Sequence, residues 1–309
     1  KTLGIMSNPS DSYQQALNTL KKTINYEVSE ASDTISLTED MLNNKTSGMV
    51  IEESQSKLLE ENYPDYSSKT KVLYTFSISV TEESITKNVD VTKDSFNVFI
   101  SGIDTYGKIT SVSRSDVNII ANINPKTKSI TLIHIPRDYY ISLYNKSGLK
   151  DKLTHAGIYG IDTSVKSVEN LLDLDINYYI KFNFTSVIKI VDAIGPISVY
   201  SNQNFTTGIY DDEMNETYNF TKGYNTMNGN ETLAFCRERH AFADGDQVRG
   251  EHQMSVIKAI VKKVTSPSIL TKYSKLLSSL SSTFVTNMSE NEITTIIQHQ
   301  LDNNSEWTI

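Results

Sequence analysis

Apolar positions along this chain follow two different rhythms, and the change falls near residue 90. Over Asp11–Ile24 they recur at Ala16, Leu17, Leu20 and Ile24, the spacing of a helix with one buried face. Tyr26–Val28 is short and suits a strand. Ser36-Leu-Thr-Glu-Asp opens a second helix, with Ser36 or Thr38 as cap and acids in the first turn, ending near Gly48. Met49–Ile51 predicts a strand, Ser54–Glu61 a helix stopped before Pro64, and Lys71–Val80 an alternating strand. The stretch lacks arginine, histidine and cysteine. It reads as a small α/β accessory domain over 1–90, with Thr81–Asp94 as a polar boundary and no chemistry of its own.

Beyond the boundary the apolar runs become dense and β-branched. Phe96–Ile100, Val117–Ala121 and Ser129–Ile135 have the length of buried strands, and Asn124-Pro-Lys-Thr-Lys turns the second into the third. Tyr139–Leu153 reads as a loop. A helix over Ile161–Leu172, a strand over Asn177–Phe182, a helix over Phe184–Ala193 and a strand over Ile197–Tyr200 follow. Such alternation supports an α/β sandwich spanning 91–309. Asn202–Thr226, rich in Asn, Thr and Tyr, predicts a long excursion over the surface or the site. Gly229–Arg239 predicts a short helix, Asp246–Val264 a long one, and Ile269–Leu280 and Glu290–Leu301 two amphipathic ones.

Composition changes this picture in four places. The formal net charge of −8 over 309 residues argues against a nucleic-acid partner, which calls for a basic face. One cysteine, Cys236, excludes an internal disulfide and a thiolate metal cluster. Mean hydropathy is −0.34, and no apolar run reaches the ~18–20 residues of a membrane span.

The fourth change concerns arginine. Only five of the 29 basic residues are arginine: Arg114, Arg137, Arg237, Arg239 and Arg249. A guanidinium grips phosphate or carboxylate bidentately and stays charged when desolvated. The clustering points to an anion site, with buried ion pairs as the bland alternative. Asp104 and Asp116 flank the loop G-I-D-T-Y-G-K-I-T-S-V-S-R-S-D, and Pro136-Arg137-Asp138 ends the next strand. Charged groups thus collect at the ends of neighbouring strands, where α/β sheets build sites. Lys152 and His155 are within reach of the same place; His155 fits a helix start better than a catalyst. Arg249 and Gln253 share a helix face near an N-terminus that favours anions, with an Arg249–Asp246 or Arg249–Glu251 surface pair as the alternative.

Taken together, G-I-D…S-R-S-D at 102–116, I-P-R-D at 135–138, D-K-L-T-H-A at 151–156 and A-F-C-R-E-R with D-Q-V-R-G-E-H-Q at 234–253 resemble the LytR–CpsA–Psr family, most closely its streptococcal capsule-biosynthesis members. The resemblance runs from about Phe96 to Ile260. It implies an α/β/α sandwich with a mixed central sheet, on the outer face of a bacterial membrane and held by an N-terminal anchor preceding Lys1. It implies transfer of a glycopolymer (capsular polysaccharide or a teichoic-acid-like polymer) from a polyprenyl pyrophosphate carrier to peptidoglycan, with pyrophosphatase activity when water attacks. Carried over by motif, Asp104 and Asp116 hold Mg²⁺; Arg114, Arg137 and Arg249 act at the phosphates; and Lys152, Arg237, Arg239 and Gln253 bind them. Tyr106, His134, Thr154 and Cys236 depart from common family residues. A rival from another class is a non-catalytic polyprenyl-phosphate-binding module that presents the carrier to an enzyme. A transcriptional regulator is disfavoured by the acidic charge and by the lack of a basic helix-turn-helix pattern.

Overall fold

The computed structural model describes all residues except 8–10, 33, 52, 76, 78–86, 108, 110–112, 145, 147–149, 211–214, 267–268, 270–279, 281–282 and 304–305. The chain starts with a strand the apolar pattern does not announce, β1 (Thr2–Met6). It pairs in parallel with β2 (Glu27–Ala31) and β3 (Gly48–Met49), and α1 (Asp11–Thr23) and α2 (Thr34–Leu42) lie between these strands in the chain. Leu17 and Leu20 of α1 are buried, while Ile24 lies past the helix end and is exposed. The second helix stops at Leu42 rather than near Gly48, because Asn44 adopts φ 59°, a left-handed conformation that ends helices. α3 (Glu53–Asn62) and α4 (Tyr66–Lys69) follow. Residues 71–75 pair with no strand among the described residues, and Val72 and Leu73 are 82% and 76% exposed. The alternation there does not mark a buried face; the rest of the expected strand (76, 78–80) lies outside the described residues.

The main sheet is built from the dense runs. β4 (Phe96–Ile103), β5 (Ser115–Asn124) and β6 (Ser129–His134) form an antiparallel meander. The Asn124 side chain accepts hydrogen bonds from the Lys126 and Thr127 amides at 3.0 and 3.2 Å, closing the turn. Tyr139–Leu153, expected as a loop, contains a small ribbon of β7 (Tyr140–Ser142) and β8 (Lys150–Lys152) before α5 (Leu153–Ala156). α6 (Ile161–Leu172) leads to β9 (Tyr178–Phe182), which joins β4 in parallel and makes the sheet mixed. α7 (Phe184–Ile194) opens on a capping box between Asn183 and Ser186. β10 (Ile197–Ser201) follows. Within the expected excursion, β11 (Phe205–Tyr210) pairs with β12 (Asn215–Phe220), and β13 (Gly223–Met227) with β10. Its strands are too polar to show apolar alternation; Phe205, Phe220 and Met227 supply the buried anchors.

A second capping box, Asn228 with Glu231, starts α8 (Gly229–Arg237), and α9 (Gly245–Val264) follows. β14 (Val285–Thr286) pairs with β9, so the five-stranded order is β14-β9-β4-β5-β6. α10 (Glu290–Asn303) is the last helix. Most of the predicted Ile269–Leu280 helix lies outside the described residues.

Alternation along the strands divides the core into layers. Phe96, Val98, Ala121, Ile130 and Tyr178 face Val261 of α9 and Ile296 of α10. Phe99 and Ile120 face the other way, onto Leu153, Ala156, Val165 and Val168 of α5 and α6. This is an α/β/α sandwich. In an up–down–up meander the end of β4, the start of β5 and the end of β6 share one edge of the sheet. Asp104, the 114–116 segment and Arg137 are therefore neighbours in space because of topology.

Candidate active site

A β-bulge makes the centre of the site. Gly102 pairs with Val117 and Ile103 with Ser115, so Asp116 has no cross-strand partner. Beneath the bulge, buried Ser115 Oγ lies 2.8 Å from Ser101 Oγ and 2.8 Å from Asn118 Oδ1, which fixes the local backbone. The Asp116 carboxylate is thereby free to leave the ladder and meet three donors. Arg137 Nη1 donates to both of its oxygens at 2.9 Å, Arg249 Nη2 donates to Oδ2 at 2.8 Å, and Thr154 Oγ1 donates to Oδ1 at 3.0 Å. Burial pushes the Asp116 carboxyl up, but Arg249 and Arg137 outweigh it and hold it below the usual carboxylate range.

Around this pair the acids and bases alternate. Arg137 Nε stands 3.5 Å from Asp246 and 3.7 Å from Asp138, and Lys152 Nζ is 2.7 Å from Asp138. Asp104 accepts a hydrogen bond from Ser113 Oγ at 2.6 Å, one residue before Arg114. Gln253 is buried one turn beyond Arg249 on α9. Arg237 ends α8, stacks 4.5 Å from the Phe184 ring centre and donates to Tyr106 Oη at 3.3 Å. The helix stops there, and Glu238 is extended, which turns Arg239 to the surface beside His240. The structure thus joins Asp116, Arg137 and Arg249 in direct contact, ties Lys152 to them through Asp138, and leaves Arg239 exposed.

Several partners were not legible beforehand. Arg249 pairs with Asp116, across the sheet edge, and not with Asp246 or Glu251 of its own helix; Asp246 turns to Arg137 instead. Thr154, which stood out only as a departure from a family pattern, is a ligand of Asp116. His155 sits in α5 with Nδ1 2.8 Å from Asp151, in keeping with a helix-start role. Burial raises the Cys236 thiol to about 12, so it stays protonated and unreactive at neutral pH.

One tight packing point supports the cluster from behind. A Cβ added at Gly157 would lie 2.6 Å from Ser113 O and 2.7 Å from Ser115 N, both backbone atoms flanking Arg114. Gly157→Ala is expected to push this segment away. Overpacking of this kind costs about 1–3 kcal/mol, read as a lower urea midpoint, together with weaker anion binding. An unchanged midpoint would show that the segment yields freely.

At one end of the sheet of an α/β/α sandwich, Arg137, Arg249 and Lys152 are thus interleaved with Asp116, Asp138 and Asp246. The LytR_cpsA_psr family profile matches residues 54–307, and the chain belongs to that family. It is 34% identical over 200 residues to the polyisoprenyl-teichoic acid–peptidoglycan teichoic acid transferase TagU of Enterococcus faecalis, covering 64% of this chain and 63% of the relative. The fold is similar to that of Bacillus subtilis TagV (TM-score 0.59, 27% identity, covering 71% of this chain and 84% of TagV). It is also similar to TagT bound to LI-WTA (TM-score 0.53, 29% identity, covering 72% of this chain and 81% of TagT).

Proposed function

We propose that this protein transfers a glycopolymer from a polyprenyl pyrophosphate carrier to peptidoglycan at the outer face of the membrane. The observation that carries the reading is the grip of Arg137, Arg249 and Thr154 on bulged Asp116. Two guanidinium groups held in fixed orientation beside a partly buried carboxylate form a preorganised positive site at a strand edge. The transferase names of the relatives, and the bound LI-WTA of a structural neighbour, support a polymer-linked phosphate as the anion.

Roles follow from placement. Arg114, Arg137 and Arg249 would neutralise the charge that grows on the transferring phosphoryl oxygens and on the lipid phosphate as it leaves. Arg237, stacked on Phe184, and Lys152, with Gln253 on the buried face of α9, would orient the pyrophosphate. Arg239 would reach it only from the surface. The oxygens of Asp104 and Asp116 are the hard donors Mg²⁺ takes, and two carboxylates completed by phosphate oxygens suit it. Asp116 is committed to its arginines, whereas among the described residues Asp104 accepts from Ser113 through one oxygen, so Asp104 would be the first ligand. Bound there, Mg²⁺ would supply Lewis-acid stabilisation of phosphoryl charge. An acceptor hydroxyl gives transfer, and water in its place gives pyrophosphatase activity.

The test is to incubate the protein with a synthetic polyprenyl pyrophosphate-linked glycan and uncrosslinked peptidoglycan, with Mg²⁺ and then with EDTA. Metal-dependent formation of polymer-bearing peptidoglycan and free polyprenyl phosphate is expected. Tight carrier binding with neither product would favour a presenting module instead.

A further inference from the structure

Beside the arginine cluster lies an open groove of about 500 Å³, lined by His134 at the end of β6 and by Gln247, Gly250, Glu251, Met254 and Lys258 of α9. These helix positions form one stripe, while Arg249, Gln253 and Val256 form the adjacent buried one. A single helix therefore presents two faces, one to the phosphate-anion site and one to the groove. The two faces differ in chemistry. The first concentrates positive charge; the second balances Glu251 against Lys258 among an amide and a thioether, and Asp246 stands near its head. Such a surface does not select a pyrophosphate. It suits a neutral, hydroxyl-rich chain, whose hydroxyls meet polar side chains and whose apolar ring faces meet Met254.

His134 stands where the two faces meet. Its imidazole lies against the α9 backbone at Gly250, where an added Cβ would be 2.5 Å from Cε1. Only glycine leaves room for the ring there. The charged groups facing it are Asp246 and Arg249 from α9, with Glu251 and Lys258 along the groove. Asp246 also contacts Arg137, so His134 is one residue removed from the guanidinium that holds Asp116.

Resting on the proposed transfer reaction, we infer that this groove seats the glycan acceptor and that His134 accepts the proton of its attacking hydroxyl. The acceptor oxygen forms a bond to the sugar-side phosphorus. The bridging P–O bond breaks, polyprenyl phosphate leaves with the electron pair, and the hydroxyl proton moves to the imidazole. Burial holds the His134 imidazole below its ordinary range, against the opposing pull of Asp246, so it is neutral and able to accept at neutral pH.

The test compares donor binding with acceptor-dependent transfer, using a polyprenyl pyrophosphate-linked disaccharide and a soluble peptidoglycan glycan. His134→Gln is expected to lower kcat of transfer by about 100-fold, as loss of a general base does, with the donor Kd unchanged. The acid limb of the wild-type pH profile should vanish in the variant. Gly250→Ala, which favours the helix but displaces the ring, should show the same loss. Lys258→Ala should raise the acceptor KM and leave kcat alone. Wild-type transfer by His134→Gln would overturn the base assignment, and an unchanged KM in Lys258→Ala would overturn the groove. A wild-type chain that fails to bind the donor would instead sink the underlying transfer reading, and this inference with it.

Discussion

Arg249→Ala is expected to lower turnover of a lipid pyrophosphate substrate by about 10³-fold or more, the scale on which phosphoryl-transfer arginines act. Arg249 is 9% exposed and donates to Asp116 at 2.8 Å, so its charge is held in a site largely shielded from water. Its removal has two separable consequences. One is structural: Asp116 loses one of two cationic partners, and losing a partner of a buried charge is destabilising by up to about 3–5 kcal/mol. Here the contact of Arg137 Nη1 with both Asp116 oxygens remains, which keeps the cost toward the low end. The other is functional, the loss of charge stabilisation in the transition state. Pairing Arg249→Ala with Asp116→Asn separates them, because the double variant no longer buries an underpaired carboxylate. It should regain thermal stability without regaining turnover. Arg249→Lys tests geometry, since a single ammonium cannot reproduce the fork. Retained turnover in Arg249→Ala would remove this residue from the reaction.

The second large effect is expected at Asp104. Asp104→Asn preserves size, and the amide oxygen still accepts the hydrogen bond from Ser113, so the fold should be unaffected. What is lost is one negative charge and a strong hard-metal donor. Turnover should fall by about 10²–10³-fold, corresponding to roughly 3–4 kcal/mol of barrier, and raising Mg²⁺ should recover part of it. Carrier binding should persist or tighten, because the positive cluster loses a competing carboxylate. This contrast divides an enzyme from a carrier-presenting module, which needs the arginines but has no use for metal-holding acids. Undiminished turnover, with unchanged sensitivity to EDTA, would rule out Asp104 as a metal ligand.

The sequence alone determined four of the five strands of the main sheet and most of its helices, and it showed which charged residue types fall at the strand ends. Dense β-branched runs and helical stripes are local signals, because burial on one face imposes a period on the residues themselves. Scarce arginine among abundant lysine was equally visible, since choice of cation is a property of composition. Two capping boxes were carried by Asn183 and Asn228 without standing out, and β11–β13 escaped because polar ribbons anchored by a few aromatics show little periodicity. β1 was missed for a related reason: Gly4 interrupts its short apolar run, so Leu3, Ile5 and Met6 do not stand out as a strand.

Only tertiary structure decided who meets whom. The bulge that frees Asp116 depends on the register of β5 against β4, which no single strand encodes. The choice of Asp116 over Asp246 as partner of Arg249 depends on α9 crossing the sheet edge, and long-range charge pairing leaves no trace in residue spacing. Arg237 and Arg239 were equivalent in sequence, but the end of α8 between them stacks one, half-buried, on Phe184 and exposes the other. The reason is the same in each case: local patterns record which side of an element faces a core, while a site is made where elements distant in sequence end together.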